Sequence, residues 1–126
     1  MKYTAKAERV YEGDAVVGHD IPRCTLWDGG YGVHTAIVKM YKGMDLGTHK
    51  HETWVQVFIL SGSMYCSRGK LTCVAGDHYF VEPGESHTEV ALEDSEVMII
   101  KAWPNVQYQT GSGGPSRIAA AKPAEE

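Results

Sequence analysis

A chain of 126 residues, 43% hydrophobic and 22% charged, has room for one domain with its own core and little space for a second. Twelve Lys and Arg against sixteen Asp and Glu give a net charge of −4 with no basic stripe, which argues against a nucleic-acid or anionic-membrane partner and points to a small-molecule substrate. No apolar run reaches the ~18 to 20 residues of a bilayer span, and the opening MKYTAKAERVYEGD lacks the apolar segment and cleavage site of a secretory leader, so the expected location is the cytoplasm.

The first 34 residues place the turn signals Gly13-Asp14, Ile21-Pro22 and Asp28-Gly29-Gly30 between short apolar pieces, which predicts leading strands with turns at those dipeptides. From Thr35 to Trp103 the runs TAIVKMY, VQVFILSG, SMYCS, KLTCV, HYFVE, HTEVAL and EVMIIKAW follow one another, each closed by a turn. Their period-two character and spacing predict an all-β sandwich or closed barrel, and no stretch has helical periodicity. The single domain is expected over 1–109 with its core in 30–103. The tail 110–126, TGSGGPSRIAAAKPAEE, buries too little apolar area to offset its ordering entropy and is expected to be mobile.

Cys24, Cys66 and Cys73 form neither a Cys-x-x-Cys pair nor an even set. A two-residue turn at Arg68-Gly69 would set Cys66 opposite Leu71 and only diagonal to Cys73, about 7 to 8 Å away, too far for easy bridging. Reduced structural thiols are expected.

The chemistry lies in GMDLGTHKHETWVQVFILSG and GDHYFVEPGESH. Side chains alternate along a strand, so His49 and His51 share one face. A Pro-Gly turn at Pro83-Gly84 sets the register of the strand that carries His87 and aims a third imidazole at the first two. After a reversal at 52–55, Gln56, Phe58 and Leu60 share a face that is read as the interior, which makes Phe58 a pocket-lining residue and leaves Val57 and Ile59 pointing outward. Glu89 follows His87 on the same face, where it could act as a general base or orient an imidazole. Glu52 reads as a surface turn residue and His78 as packing or surface; His19 and His34 have no motif around them.

These residues form the patterns Gly43-x5-His49-x-His51-x4-Gln56-x5-Gly62 and Gly76-Asp77-x5-Pro83-Gly84-x2-His87, which resemble the two motifs of the cupin superfamily over about residues 43 to 91. The resemblance implies a double-stranded β-helix, or jelly roll, holding one divalent transition metal ion per chain on His49, His51, Gln56 and His87. Three departures stand out: Gln56 replaces the usual glutamate, Glu82 stands where a proline is usual with Pro83 shifted beside Gly84, and Ala91 replaces a terminal asparagine. An amide in place of a carboxylate leaves a more Lewis-acidic ion, suited to a chelating anion.

The run VFILSG with AGDHYFVEPGESHTEV is similar to cupins of the anti-sigma-factor and acetylacetone or dihydroxyacetophenone dioxygenase type. That similarity implies an iron-dependent dioxygenase cleaving a small enolisable ketone or phenolic compound. The alternatives are a non-redox lyase, isomerase or cyclase using Zn, Ni or Mn, which Gln56 favours, and a non-catalytic sensing barrel. A homodimer is expected, because small cupins commonly pack face to face and outward Val57 and Ile59 would need cover.

Overall fold

The computed structural model describes residues 1–16, 19–109 and 116–120. After a single 3-10 turn at Lys6–Glu8, the described residues form twelve strands: β1 Glu12–Val16, β2 His19–Trp27, β3 Val33–Met40, β4 His49–His51, β5 Val55–Ser61, β6 Ser63–Cys66, β7 Leu71–Val74, β8 His78–Val81, β9 Glu89–Ala91, β10 Ser95–Ala102, β11 Val106–Gln109 and β12 Ser116–Ala120. Every run from Thr35 onward that reads as a strand is one. They assemble into a six-stranded sheet ordered β1-β2-β3-β10-β5-β8 and two three-stranded sheets, β7-β6-β9 and β12-β11-β4. All named pairings are antiparallel. The architecture is a jelly roll.

The core lies between the large sheet and β7-β6-β9. Val38, Val55, Val57, Ile59, Val81 and Val97 of the large sheet form one cluster with Met64, Cys66, Cys73 and Ala91 of the small one. Register explains which face turns inward. Val57 pairs with Ile99 and Tyr79, and Ile59 with Val97, so cross-strand neighbours stack on a shared inner face. At about 1.5 to 3 kcal/mol for each fully buried aliphatic side chain, this face is a principal source of stability. Gly62 ends β5 with φ +83°, and a Cβ there would run into Ser95 Oγ and the Asp94 carbonyl, so the tight β5–β6 connection admits only glycine.

Two expectations are corrected by the structure. The interior face of β5 carries Val55, Val57 and Ile59, not Gln56, Phe58 and Leu60; Ile59 is 1% exposed and Leu60 39%. Both faces of VQVFIL are apolar enough to be buried, and a shift of one residue in register exchanges them. With Val57 and Ile59 inside, the ground given for expecting a dimer is removed. Second, Gly13-Asp14 and Ile21-Pro22 are not turns. Both lie within strands, with Pro22 opposite Gly13 of β1 and beyond the first β3 pairing at Arg23, where its missing N–H disturbs no bond to β3. Within the segment expected to be a mobile tail, β12 pairs with β11; positions 110–115 and 121–126 lie outside the described residues.

The chain ahead of β1 is tied to the outer side of the large sheet by Tyr11. Its phenol donates to Glu96 Oε2 at 2.7 Å while the Lys39 ammonium lies 4.2 Å from its ring centroid. In the β6–β7 hairpin Cys66 faces Leu71 and Met64 faces Cys73, the expected register, and all three cysteines are buried and free.

Candidate metal centre

The segments leading into β4 and β9 run side by side. His49 at the start of β4 and His87 just before β9 exchange reciprocal backbone hydrogen bonds of 2.9 Å each, an isolated antiparallel bridge. Directly opposed residues of such a pair send their side chains to the same face. Alternation along β4 then brings His51 to that face, and the Gly84 amide, donating to the His51 carbonyl at 2.9 Å, anchors the Pro-Gly turn beside it. Gly84 has φ +79°, a left-handed conformation that favours glycine at the turn.

The three rings converge. Centroids are 4.3 Å apart for His49 and His87, 5.3 Å for His49 and His51, and 5.6 Å for His51 and His87. Each offers one ligand nitrogen, and these lie within 4.8 Å of one another. All three side chains are buried. His49 Nδ1 donates to the Gly47 carbonyl at 2.9 Å, and His87 Nδ1 faces the Glu85 carbonyl at 3.4 Å. With the proton of a neutral ring on Nδ1, the lone pair sits on Nε2, the tautomer a metal ligand needs. The residues fit a divalent transition ion: three buried imidazoles, with His49 held in the tautomer that turns its lone pair inward.

A carboxylate shares the same point. Glu89 Oε1 lies 3.4 Å from His49 Nε2 and 3.3 Å from His87 Nε2. Its other oxygen, Oε2, accepts a short hydrogen bond from the Tyr79 hydroxyl. Burial would raise the Glu89 carboxyl, but the two histidines hold it well below the usual carboxylate range. Burial, then the charge and hydrogen bond of Glu89, push the Tyr79 phenol up, so it keeps its proton. His51 is lowered to about 3, first by burial and then by the neighbouring His49 charge. For His87, burial pulls down most strongly, yet Glu89 and Glu85 together leave it raised. Burial and the Glu89 charge move the Cys66 thiol to about 11, leaving it protonated and unreactive.

The site opens into a cavity of about 60 Å³ once open solvent is left out. His49, His51, Tyr79 and Glu89 line one part of it; Ile21, Val38, Val57 and Ile99 form apolar walls; Arg23, Lys101 and Gln107 add polar groups. Gln107 pairs with His51 across β11 and β4, and its buried Nε2 has no hydrogen-bond partner among the described residues.

Of the residues singled out from the sequence, His49, His51, His87 and Glu89 are brought together. Gln56 and Phe58 are not. The Gln56 amide oxygen accepts from His78 Nε2 at 3.0 Å on the outer face, and Phe58 tilts against the same ring with centroids 4.6 Å apart. The amide beside the histidines is Gln107, and the aromatic ring in the cavity is Tyr79. Arg23, Lys101 and Gln107 carried no sequence signal, because closure of the barrel, not local spacing, delivers them.

A jelly roll whose interior gathers three imidazoles beside a carboxylate is the frame of a metal-binding cupin. The profile of the ChrR cupin-like domain matches residues 16–106, and the chain belongs to that family. Solved structures of the same fold include a protein of Methylibium petroleiphilum assigned as an acetylacetone dioxygenase, with 19% identity, 95% of this chain and 87% of that one covered, and a TM-score of 0.78. Another is an acetylacetone dioxygenase from Acinetobacter johnsonii, with 19% identity, 99% and 86% covered, and a TM-score of 0.75. KdgF from Halomonas sp. has 23% identity, 81% and 94% covered, and a TM-score of 0.67. No protein with a curated description matches the chain. Among the described residues no helix is long and apolar enough to cross a membrane.

Proposed function

We propose that this chain is a mononuclear metal-dependent enzyme, with His49, His51 and His87 as the metal-holding residues and a small chelating anion as substrate. The observation that carries the reading is the convergence of three buried imidazoles on one point, two of them lining a cavity with apolar walls and cationic side chains. A divalent ion held there supplies a Lewis-acid centre able to take two substrate oxygens. Lys101 and Arg23 supply positive charge along the cavity wall and Gln107 Nε2 a hydrogen-bond donor beside His51, which together favour an enolate or carboxylate oxygen. Ile21, Val38, Val57 and Ile99 exclude water and strengthen those interactions.

The chemistry we favour is dioxygenase cleavage of a carbon–carbon bond in a small enolisable ketone or phenolic compound, with iron as the metal. Its support is likeness of fold to acetylacetone dioxygenases over nearly the whole chain. Non-redox lyase or isomerase chemistry with zinc, nickel or manganese drew on Gln56 as a ligand; with Gln56 on the outer face that ground is gone. Three buried free cysteines support a reducing, cytoplasmic setting.

The test is metal analysis of protein purified without chelator, followed by oxygen-electrode assays on a panel of β-diketones and hydroxyketones. Iron in the protein and oxygen consumed one-to-one with substrate are expected. Equal turnover without oxygen would replace the dioxygenase by a lyase or isomerase, binding without turnover would make the barrel a sensor, and protein that takes up no metal would end the reading.

A further inference from the structure

We infer that Glu89 is the fourth metal ligand of this barrel, a carboxylate supplied from β9 in place of the one that Gln56 does not provide. The inference rests on the metal-holding reading above and specifies its donor set.

The first argument is distance. Ligand atoms that share one ion at 2.0 to 2.1 Å in a tetrahedral arrangement are separated from one another by about 3.3 to 3.4 Å. Glu89 Oε1 lies 3.3 Å from His87 Nε2 and 3.4 Å from His49 Nε2. An N–H···O hydrogen bond has its mode near 2.9 to 3.0 Å, so both separations are long for hydrogen bonds and right for neighbouring ligands.

The second is donor and acceptor balance. His49 Nδ1 donates to the Gly47 carbonyl at 2.9 Å, so a neutral His49 ring presents a lone pair, not an N–H group, to Oε1. That lone pair and a carboxylate oxygen pointing at one buried spot repel one another unless a cation sits between them. A divalent ion meets both at once.

The third is support. The Tyr79 hydroxyl holds Oε2, so the carboxylate is fixed by one oxygen and presents the other to the histidines. The strand that carries it is pinned by the Cys66–Glu89 pairing of β6 and β9. A group meant to shuttle protons to solvent needs a path outward, whereas the Glu89 side chain is 15% exposed and both its oxygens face protein groups.

The experiment titrates chelator-stripped protein with Co2+ and Zn2+ against a competing chromophoric chelator, and records the visible Co2+ spectrum. Wild type, Glu89→Gln, Glu89→Asp, Tyr79→Phe and His51→Ala are compared, with circular dichroism to check folding. Wild type is expected to take one ion per chain. Glu89→Gln should weaken binding by more than about 100-fold, beyond what loss of an outer-shell partner costs, and should alter the Co2+ spectrum. Glu89→Asp keeps the charge but falls short of the ion, so it should stay at least tenfold weaker than wild type. It also carries the test if the glutamine variant fails to fold. Tyr79→Phe should cost about tenfold, as an orienting partner does.

Two results would overturn the assignment while leaving the metal site standing: a Glu89→Gln loss within 100-fold and an unchanged spectrum, with His51→Ala clearly weakened, or full recovery of affinity in Glu89→Asp. Wild-type protein that binds neither ion would overturn the metal reading itself, and this assignment with it.

Discussion

Truncating Ile59 and Leu60 in turn measures which face of β5 is buried, and with it which way Gln56 points. Ile59 is 1% exposed and packed in the main cluster; replacing it by alanine removes three carbons, about 2.4 kcal/mol of transfer free energy at 0.8 kcal/mol each. The void left behind adds a further term, for a total of about 3 to 4 kcal/mol. Leu60 is 39% exposed on the opposite face, and its truncation should cost about 1 kcal/mol. Urea unfolding followed by tryptophan fluorescence would give both values from the midpoints, provided the slope is unchanged. In thermal melts the pair should separate by about 8 to 12 °C. Equal costs, or a larger cost at Leu60, would mean that the register is wrong by one residue and that Gln56 faces the histidines after all.

Gln56→Ala is expected to leave metal stoichiometry unchanged and affinity within about threefold of wild type, read by the same chelator competition, since its amide is bonded to His78 on the outer face. Gln107→Ala should raise KM for an anionic substrate about tenfold or more, the worth of a hydrogen bond to a charged group, with metal content unchanged. His34, stacked on Trp103 and lowered to about 4 by burial and then by the charges of Lys101 and Arg23, binds its proton more readily in the unfolded chain, near 6.5. Its contribution to stability is therefore complete above pH 7 and lost as pH falls from about 6.5 to 4, on the order of 2 kcal/mol after allowance for solvent screening. His34→Phe should flatten that part of the stability curve in urea titrations at pH 7, 5.5 and 4.5, and an unchanged slope would remove His34 as its source.

The metal-competent triad was legible in the sequence because its geometry is local. Alternation puts His49 and His51 on one face whatever the rest of the chain does, and the Pro83-Gly84 turn fixes where His87 points. Glu89 was legible for the same reason, two residues beyond His87. Gln56 was misplaced because the chain changes sheets between β4 and β5, so alternation no longer carries across the connection, and VQVFIL offers two apolar faces with nothing local to rank them. Pro22 read as a turn because its cost inside a strand depends on which neighbour needs its N–H, and that is a property of the assembled sheet. Arg23, Lys101 and Gln107 belong to β2, β10 and β11, and their meeting is set by closure of the barrel alone.

The reciprocal pairing of His49 and His87 joins residues thirty-eight positions apart in the chain. An ion gripped by both rings would act as a rivet across that span, restricting the disordered chain much as a covalent link closing a loop of that length does, at about 4 kcal/mol. Stripping the ion would then loosen the whole barrel as well as silence its chemistry. Resistance to proteolysis would rise and fall with metal content, giving the cell a way to clear molecules that had failed to load.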